Sequence, residues 1–182
     1  MRIISGKHKG KRISAPKKLP ARPTTDFAKE ALFNILNNNY YFEELSVLDL
    51  FAGIGSISFE FASRGAKEVI SVDQHYNSIK FIKQTSDALE LSIKTIKSDV
   101  FPYLNKVKKQ HDIIFADPPY AFSKEQLEKI TTLIFKNELL LNDGLLIIEH
   151  TQHTDMSDVL NYSYSKRYGS SMFSFFCHKV SE

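Results

Sequence analysis

The chain has 182 residues, enough for one domain with a real apolar core, and 42% hydrophobic with 25% charged residues excludes a disordered polymer. A single cysteine excludes an internal disulfide and a cysteine-based zinc site. No apolar run approaches the roughly 20 residues that span a bilayer, and no hydrophobic segment of secretory type follows the basic start, so a cytoplasmic protein without a membrane partner is expected. The net charge of +3 is uneven: residues 1–30 hold nine Lys or Arg against Asp26 and Glu30, and the remainder is net negative, the footprint of a phosphate-backbone partner.

Residues 1–23 alternate short β-like pieces (Arg2–Ser5, Lys11–Ser14) with Gly, Lys and Pro, which reads as an irregular or hairpin-like basic arm. Pro16, Pro20 and Pro23 exclude a continuous helix there. Thr24 or Thr25 can cap a helix whose apolar face is Phe27, Ala28, Ala31, Leu32, Ile35 and Leu36, ending among Asn37–Asn39. From Ser46 onward strands alternate with helices. The strands are Ser46–Leu50, Glu68–Asp73, Ile93–Ser98, Asp112–Ala116 and Leu145–Glu149; the helices are Ser56–Arg64, Asn77–Leu91, Phe101–Lys108 and Lys124–Asn137. Tyr162–Tyr168 and Met172–Lys179 form a closing antiparallel hairpin. The pattern predicts an α/β fold: a Rossmann-like, doubly wound, mostly parallel sheet with a C-terminal antiparallel hairpin and a basic N-terminal extension. The expected division is an arm plus packed helix over 1–45 and a catalytic domain over 46–182.

Ligands in such sheets bind beyond the carboxyl ends of the strands. The first strand runs through Asp49 into Phe51-Ala52-Gly53-Ile54-Gly55, where Gly53 and Gly55 permit a tight turn. Ser58 stands where a dinucleotide fingerprint has its third glycine, which argues against NAD. A carboxylate at Asp49 suits an ammonium better than a pyrophosphate, and S-adenosylmethionine carries that ammonium, a sulfonium and no phosphate. Asp73, ending the second strand, can accept from a ribose diol, and Asp99, ending the third, can accept from an adenine amino group or cap the next helix. The fourth strand ends in Asp117-Pro118-Pro119-Tyr120. Two prolines stiffen the turn, fixing the Asp117 carboxylate and leaving the Pro118 carbonyl as a second acceptor. An exocyclic amino group is a poor nucleophile because its lone pair is delocalised; two such acceptors bind both N–H groups and favour the pyramidal geometry of attack. Tyr120 and Phe122 offer rings on which a base can stack.

The tetrad with its Phe-Ala-Gly-x-Gly turn resembles class I amino-methyltransferases, and nearly the whole chain resembles one family, the bacterial 16S rRNA guanine-N2 methyltransferases called RsmD. The narrower likeness lies in Met1-Arg2-Ile3-Ile4-Ser5-Gly6-Lys7, Arg22-Pro23-Thr24-Thr25-Asp26, Glu30-Ala31-Leu32-Phe33-Asn34, Ser63-Arg64-Gly65-Ala66 and Tyr168-Gly169. The resemblance implies that Asp49, Phe51, Gly53, Gly55, Asp73, Asp99 and Val100 hold S-adenosylmethionine, leaving S-adenosylhomocysteine as product, with no metal. It implies that Asp117, Pro118, Pro119 and Tyr120 hold a guanine, that Arg22, Thr24 and Asp26 lie near the mouth of the site, touching RNA or closing over the cofactor, and that Lys7, Lys9, Lys11, Arg12 and Phe122 meet 16S rRNA or the small ribosomal subunit. His8 replaces a common tryptophan, and Phe27 and Lys29 replace residues that are often arginine. The tetrad also serves adenine-N6 methyltransferases on DNA or RNA, and a non-catalytic RNA-binding subunit is the other alternative. Cys177 reads as an inert buried thiol in a strand, and His150 and His153 read as surface histidines.

Overall fold

The apolar strand Ser46–Leu50 (β1) lies inside one seven-stranded sheet, third from one edge, and its alternation decides which residues serve each face. The computed structural model describes residues 1–16, 19 and 24–179. The other strands are Glu68–Asp73 (β2), Ile93–Lys97 (β3), His111–Ala116 (β4), Leu140–Thr151 (β5), Tyr162–Tyr168 (β6) and Ser171–Phe176 (β7). Their spatial order is β3-β2-β1-β4-β5-β7-β6; neighbours from β3 to β5 are parallel, and β7 runs antiparallel to both β5 and β6. Strand order reverses between β1 and β4, the switch point at which such sheets bind ligands. The helices are Asp26–Asn37 (α1), Ser56–Ser63 (α2), Tyr76–Ala88 (α3), Val100–Lys106 (α4) and Lys124–Lys136 (α5), and none among the described residues is long and apolar enough to cross a membrane.

Leu48 and Leu50 face one core layer, where they meet Val100 and Leu104 of α4 and Leu127, Ile130 and Ile134 of α5. Val47 faces the opposite layer with Leu32, Phe33 and Leu36 of α1 and Ile57 and Phe61 of α2. The alternation continues in β7: Phe173 and Phe175 join the α1–α2 side and Phe176 the α4–α5 side. Each such buried ring contributes about 1.5–3 kcal/mol. The sequence therefore places Phe residues on both faces of this strand because both faces are covered.

Local chemistry sets the helix starts. Thr25 caps α1, its hydroxyl accepting from Ala28 N–H at 3.1 Å, and Ser123 with Gln126 forms a reciprocal capping box on α5. β5 begins five residues before the expected Leu145. Leu140 already pairs with His111; the ladder then shifts register and resumes at Ile113↔Leu145. Gly144 sits in that irregularity, where a Cβ would lie 2.9 Å from the Asp112 carbonyl oxygen. α3 ends at Ala88 instead of Leu91, because Glu90 takes a left-handed φ of 52° and Leu91 turns into the core.

The basic arm is docked. Arg2 and Arg12 form an antiparallel bridge, and Ile3 and Ile13 are buried with Ala52, Phe59 and Ile82 in a third core cluster. Glu60, wholly buried in α2, accepts from Ile4 N–H at 2.9 Å, Ser5 N–H at 3.0 Å and Arg64 Nε at 3.0 Å. Lys29, one of the nine cations counted in the basic N-terminal stretch, is buried: its ammonium donates to the Arg2 carbonyl and pairs with Glu60 at 3.4 Å. Burial lowers its pKa, with Glu60 opposing that shift. Two expectations need correction. His150 is buried, with its Nε2 2.6 Å from Ser174 Oγ, and Cys177 is half-buried one residue beyond β7. His153 is exposed, as expected.

Candidate active site

The strand ends enclose one cavity of about 490 Å³, within the range of small-molecule sites. Acids from five consecutive parallel strands line it: Asp49, Asp73, Asp99, Asp117 and Glu149. Among the described lining residues there is no lysine or arginine. The five acids supply counter-charge to a cationic ligand and repel a polyanion such as a pyrophosphate.

Asp49 forms the floor. It is 2% exposed, and its Oδ2 accepts from both the backbone N–H and the hydroxyl of Ser58, whose Oγ also lies 2.6 Å from Ser71 Oγ. Burial pushes the Asp49 carboxyl up to about 7, against the opposing Ser58 hydrogen bonds. Ser58 is thus more than a missing glycine, since it orients the acid beneath the turn. Beyond β1, Phe51 adopts a φ of 60°, a conformation that costs a bulky residue on the order of 1–3 kcal/mol. Its ring is held edge-on against Phe122 at 5.4 Å, and Phe122 lies parallel to Phe101 at 6.2 Å. These three rings make the apolar wall.

Gly53 has a φ of 56° and donates its N–H to Asp73 Oδ2 at 2.8 Å, so the turn and the end of β2 brace each other. Asp73 Oδ1 accepts from His75 N–H at 2.8 Å and lies 2.9 Å from His75 Nδ1. Gly55 does not line the cavity. At a φ of 77°, its added Cβ would meet Ile82 and Phe59 at 2.9 Å, so its requirement is packing between α2 and α3. Asp99 does both things open to it: it caps α4 through Phe101 N–H at 3.0 Å and lines the cavity beside Val100.

Asp117-Pro118-Pro119-Tyr120 also lines the cavity, with Pro118 buried and Tyr120 48% exposed. Phe122 N–H donates to the Pro119 carbonyl at 2.8 Å, which folds the segment back toward Phe51. The buried Thr24 hydroxyl reaches the cavity and donates to Glu149 Oε2 at 3.0 Å. Other expected RNA-facing residues lie outside it. Lys7, Lys9, Lys11 and Arg12 are exposed on the arm, Lys7 3.7 Å from Glu90; Asp26 pairs with Arg2 at 3.3 Å; Arg22 falls outside the described residues. Sequence reasoning missed His75 and Glu149. Glu149 ends the fifth apolar run just as the other acids end theirs, and that repetition was the available signal.

Fold and site together define a Rossmann-like methyltransferase of class I. Residues 1–177 match the family described as Conserved hypothetical protein 95. The Bacillus subtilis protein YlbH is 34% identical over 165 residues, covering 88% of each chain. The ribosomal RNA small subunit methyltransferase D of Buchnera aphidicola is 34% identical over 150 residues, 82% of this chain and 75% of that one. The solved structure of yhhF from Escherichia coli superposes with a TM-score of 0.84 at 27% identity, covering 97% of this chain and 96% of the other. The chain belongs to the RsmD family of methyltransferases.

Proposed function

We propose that the protein transfers a methyl group from S-adenosylmethionine to the N2 amino group of a guanine in 16S rRNA, within a small ribosomal subunit or its assembly intermediate. The observation that carries this reading is the joining of the Asp117–Tyr120 tetrad and the strand-end acids in one cavity whose described lining has no lysine or arginine. That donor set fits a ligand with an ammonium and a sulfonium. The cofactor, when bound, supplies an electrophilic methyl group. Asp49 is the counter-charge for the ammonium, Asp73 and Asp99 are acceptors for ribose and adenine, and Phe51, Phe101 and Val100 exclude water from one wall.

On the substrate side, the Asp117 carboxylate and the Pro118 carbonyl accept the two amino N–H groups. This withdraws the nitrogen lone pair from the ring and directs it inward. Asp117 binds the proton that the product ammonium must shed, and Tyr120 stacks on the base. The exposed cations of the arm hold phosphates outside the cavity. The test is transfer of labelled methyl from S-adenosylmethionine to unmodified small subunits, naked 16S RNA and DNA, followed by nucleoside identification. N2-methylguanine is expected. N6-methyladenine would overturn the base assignment, and absence of label from every acceptor would overturn the catalytic reading.

A further inference from the structure

The two acceptors of the tetrad recognise an amino group and cannot tell which base carries it. Guanine and adenine differ at the ring nitrogen beside that group: guanine N1 bears a hydrogen, whereas adenine N1 bears a lone pair. A residue next to Asp117 that only accepts would separate the two. Glu149 stands in that position. Pairing of Ala116 with Ile148 puts Asp117 and Glu149 one step further along adjacent parallel strands. Phe115 and Ile147, two residues earlier on each strand, face the same core layer beneath α1, and the alternation carries Asp117 and Glu149 to that same side.

Glu149 is 3% exposed and lines the main cavity together with Asp117 and Tyr120. It also lines a second, small crevice of about 10 Å³ together with Pro118, Pro119 and Tyr120. Thr24, just ahead of α1, donates to Oε2 at 3.0 Å and helps to orient the carboxylate.

We propose that Glu149 reads the N1–H of the target guanine beside the amino group held by Asp117, and that it thereby rejects adenine. The inference rests on the methyl transfer proposed above. A buried carboxylate facing the N1 lone pair of adenine meets repulsion and offers no donor. Sites built to bond a substrate N–H discriminate strongly against analogues that lack it.

The test replaces the mapped target guanine by 2-aminopurine in 16S RNA reconstituted into subunits. This base keeps the C2 amino group but has an unprotonated N1. The native enzyme is expected to favour guanine by roughly a hundredfold in kcat/KM. Glu149→Gln presents an amide that can donate to N1, and it should shrink that ratio at least tenfold. Thr24→Val, which removes the orienting donor, should lower the ratio in the same direction and serves if the Gln variant does not fold. An unchanged ratio in the folded variants, with N2-methylguanine still made by the native enzyme, overturns the role of Glu149 alone. A native enzyme that makes only N6-methyladenine, or no product, overturns the proposed function and this inference with it.

Discussion

Asp49 shows how one buried group links stability to ligand binding. Its carboxyl is held up to about 7 by burial, so the folded chain keeps the proton over a range in which the unfolded chain has lost it. Its contribution to stability therefore falls as pH rises from the unfolded value near 4 to about 7, and is level above that. Relative to Asp49→Asn, the native protein should lose stability across that window in urea unfolding. A flat difference would show that burial does not govern this acid. Binding of an ammonium beside Asp49 requires the charged form, so cofactor affinity should weaken about tenfold per pH unit below 7, as read by calorimetry. Asp117→Ala should separate the two halves of the cavity. Methyl transfer is expected to fall by at least 10² while calorimetric affinity for the cofactor stays within a factor of about three. Loss of cofactor binding would move Asp117 to the other side of the site.

The arm hairpin and α2 are coupled as elements by close approach and by buried charge. Gly6 has a φ of 80°, and a Cβ there would lie 1.8 Å from the Ser63 carbonyl oxygen, on backbone that cannot step aside. Gly6→Ala is therefore expected to cost about 1–3 kcal/mol and to unseat residues 1–13, seen as a lower Tm and faster amide exchange at Ile3 and Ile13. Unchanged exchange would mean that the hairpin docks by its isoleucines alone. Beneath it, Glu60 is the shared acceptor of Lys29, Arg64 and two arm amides. Three separate segments converge on this one carboxylate, so α1, α2 and the arm are expected to unfold together.

At the scale of the whole molecule, positive charge is gathered on a docked element beside a cavity lined by acids. On the proposed function the charges separate two tasks, the arm meeting a polyanion at the surface and the pocket taking a cation. Truncating the arm would expose Phe59 and Ile82, so its electrostatic role is better tested by replacing Lys7, Lys9, Lys11 and Arg12 with alanine, since all four are exposed. RNA affinity should drop, and the slope of log affinity against log salt should flatten by roughly three. An unchanged slope would remove these residues from the phosphate-binding surface.

By itself the sequence determined the alternation of strands and helices, the closing hairpin, the acids at the ends of the first four strands and the Asp117–Tyr120 tetrad. These signals are short-range: a periodicity of two or of about 3.6 residues, a capping residue, or a stiff turn. Only the tertiary structure decided what depends on distant partners. Lys29 reads as one more surface cation until Glu60 and the Arg2 carbonyl are found around it. Ile3 and Ile13 read as strand residues of a loose arm until Phe59 and Ile82 are found beneath them. Glu149 reads as the polar end of a buried strand until Thr24, 125 residues earlier, is found donating to it inside the cavity. A local pattern fixes which face of an element is apolar. It does not specify which remote segment packs there, and that pairing sets the burial, the charge balance and hence the chemistry of each of these groups.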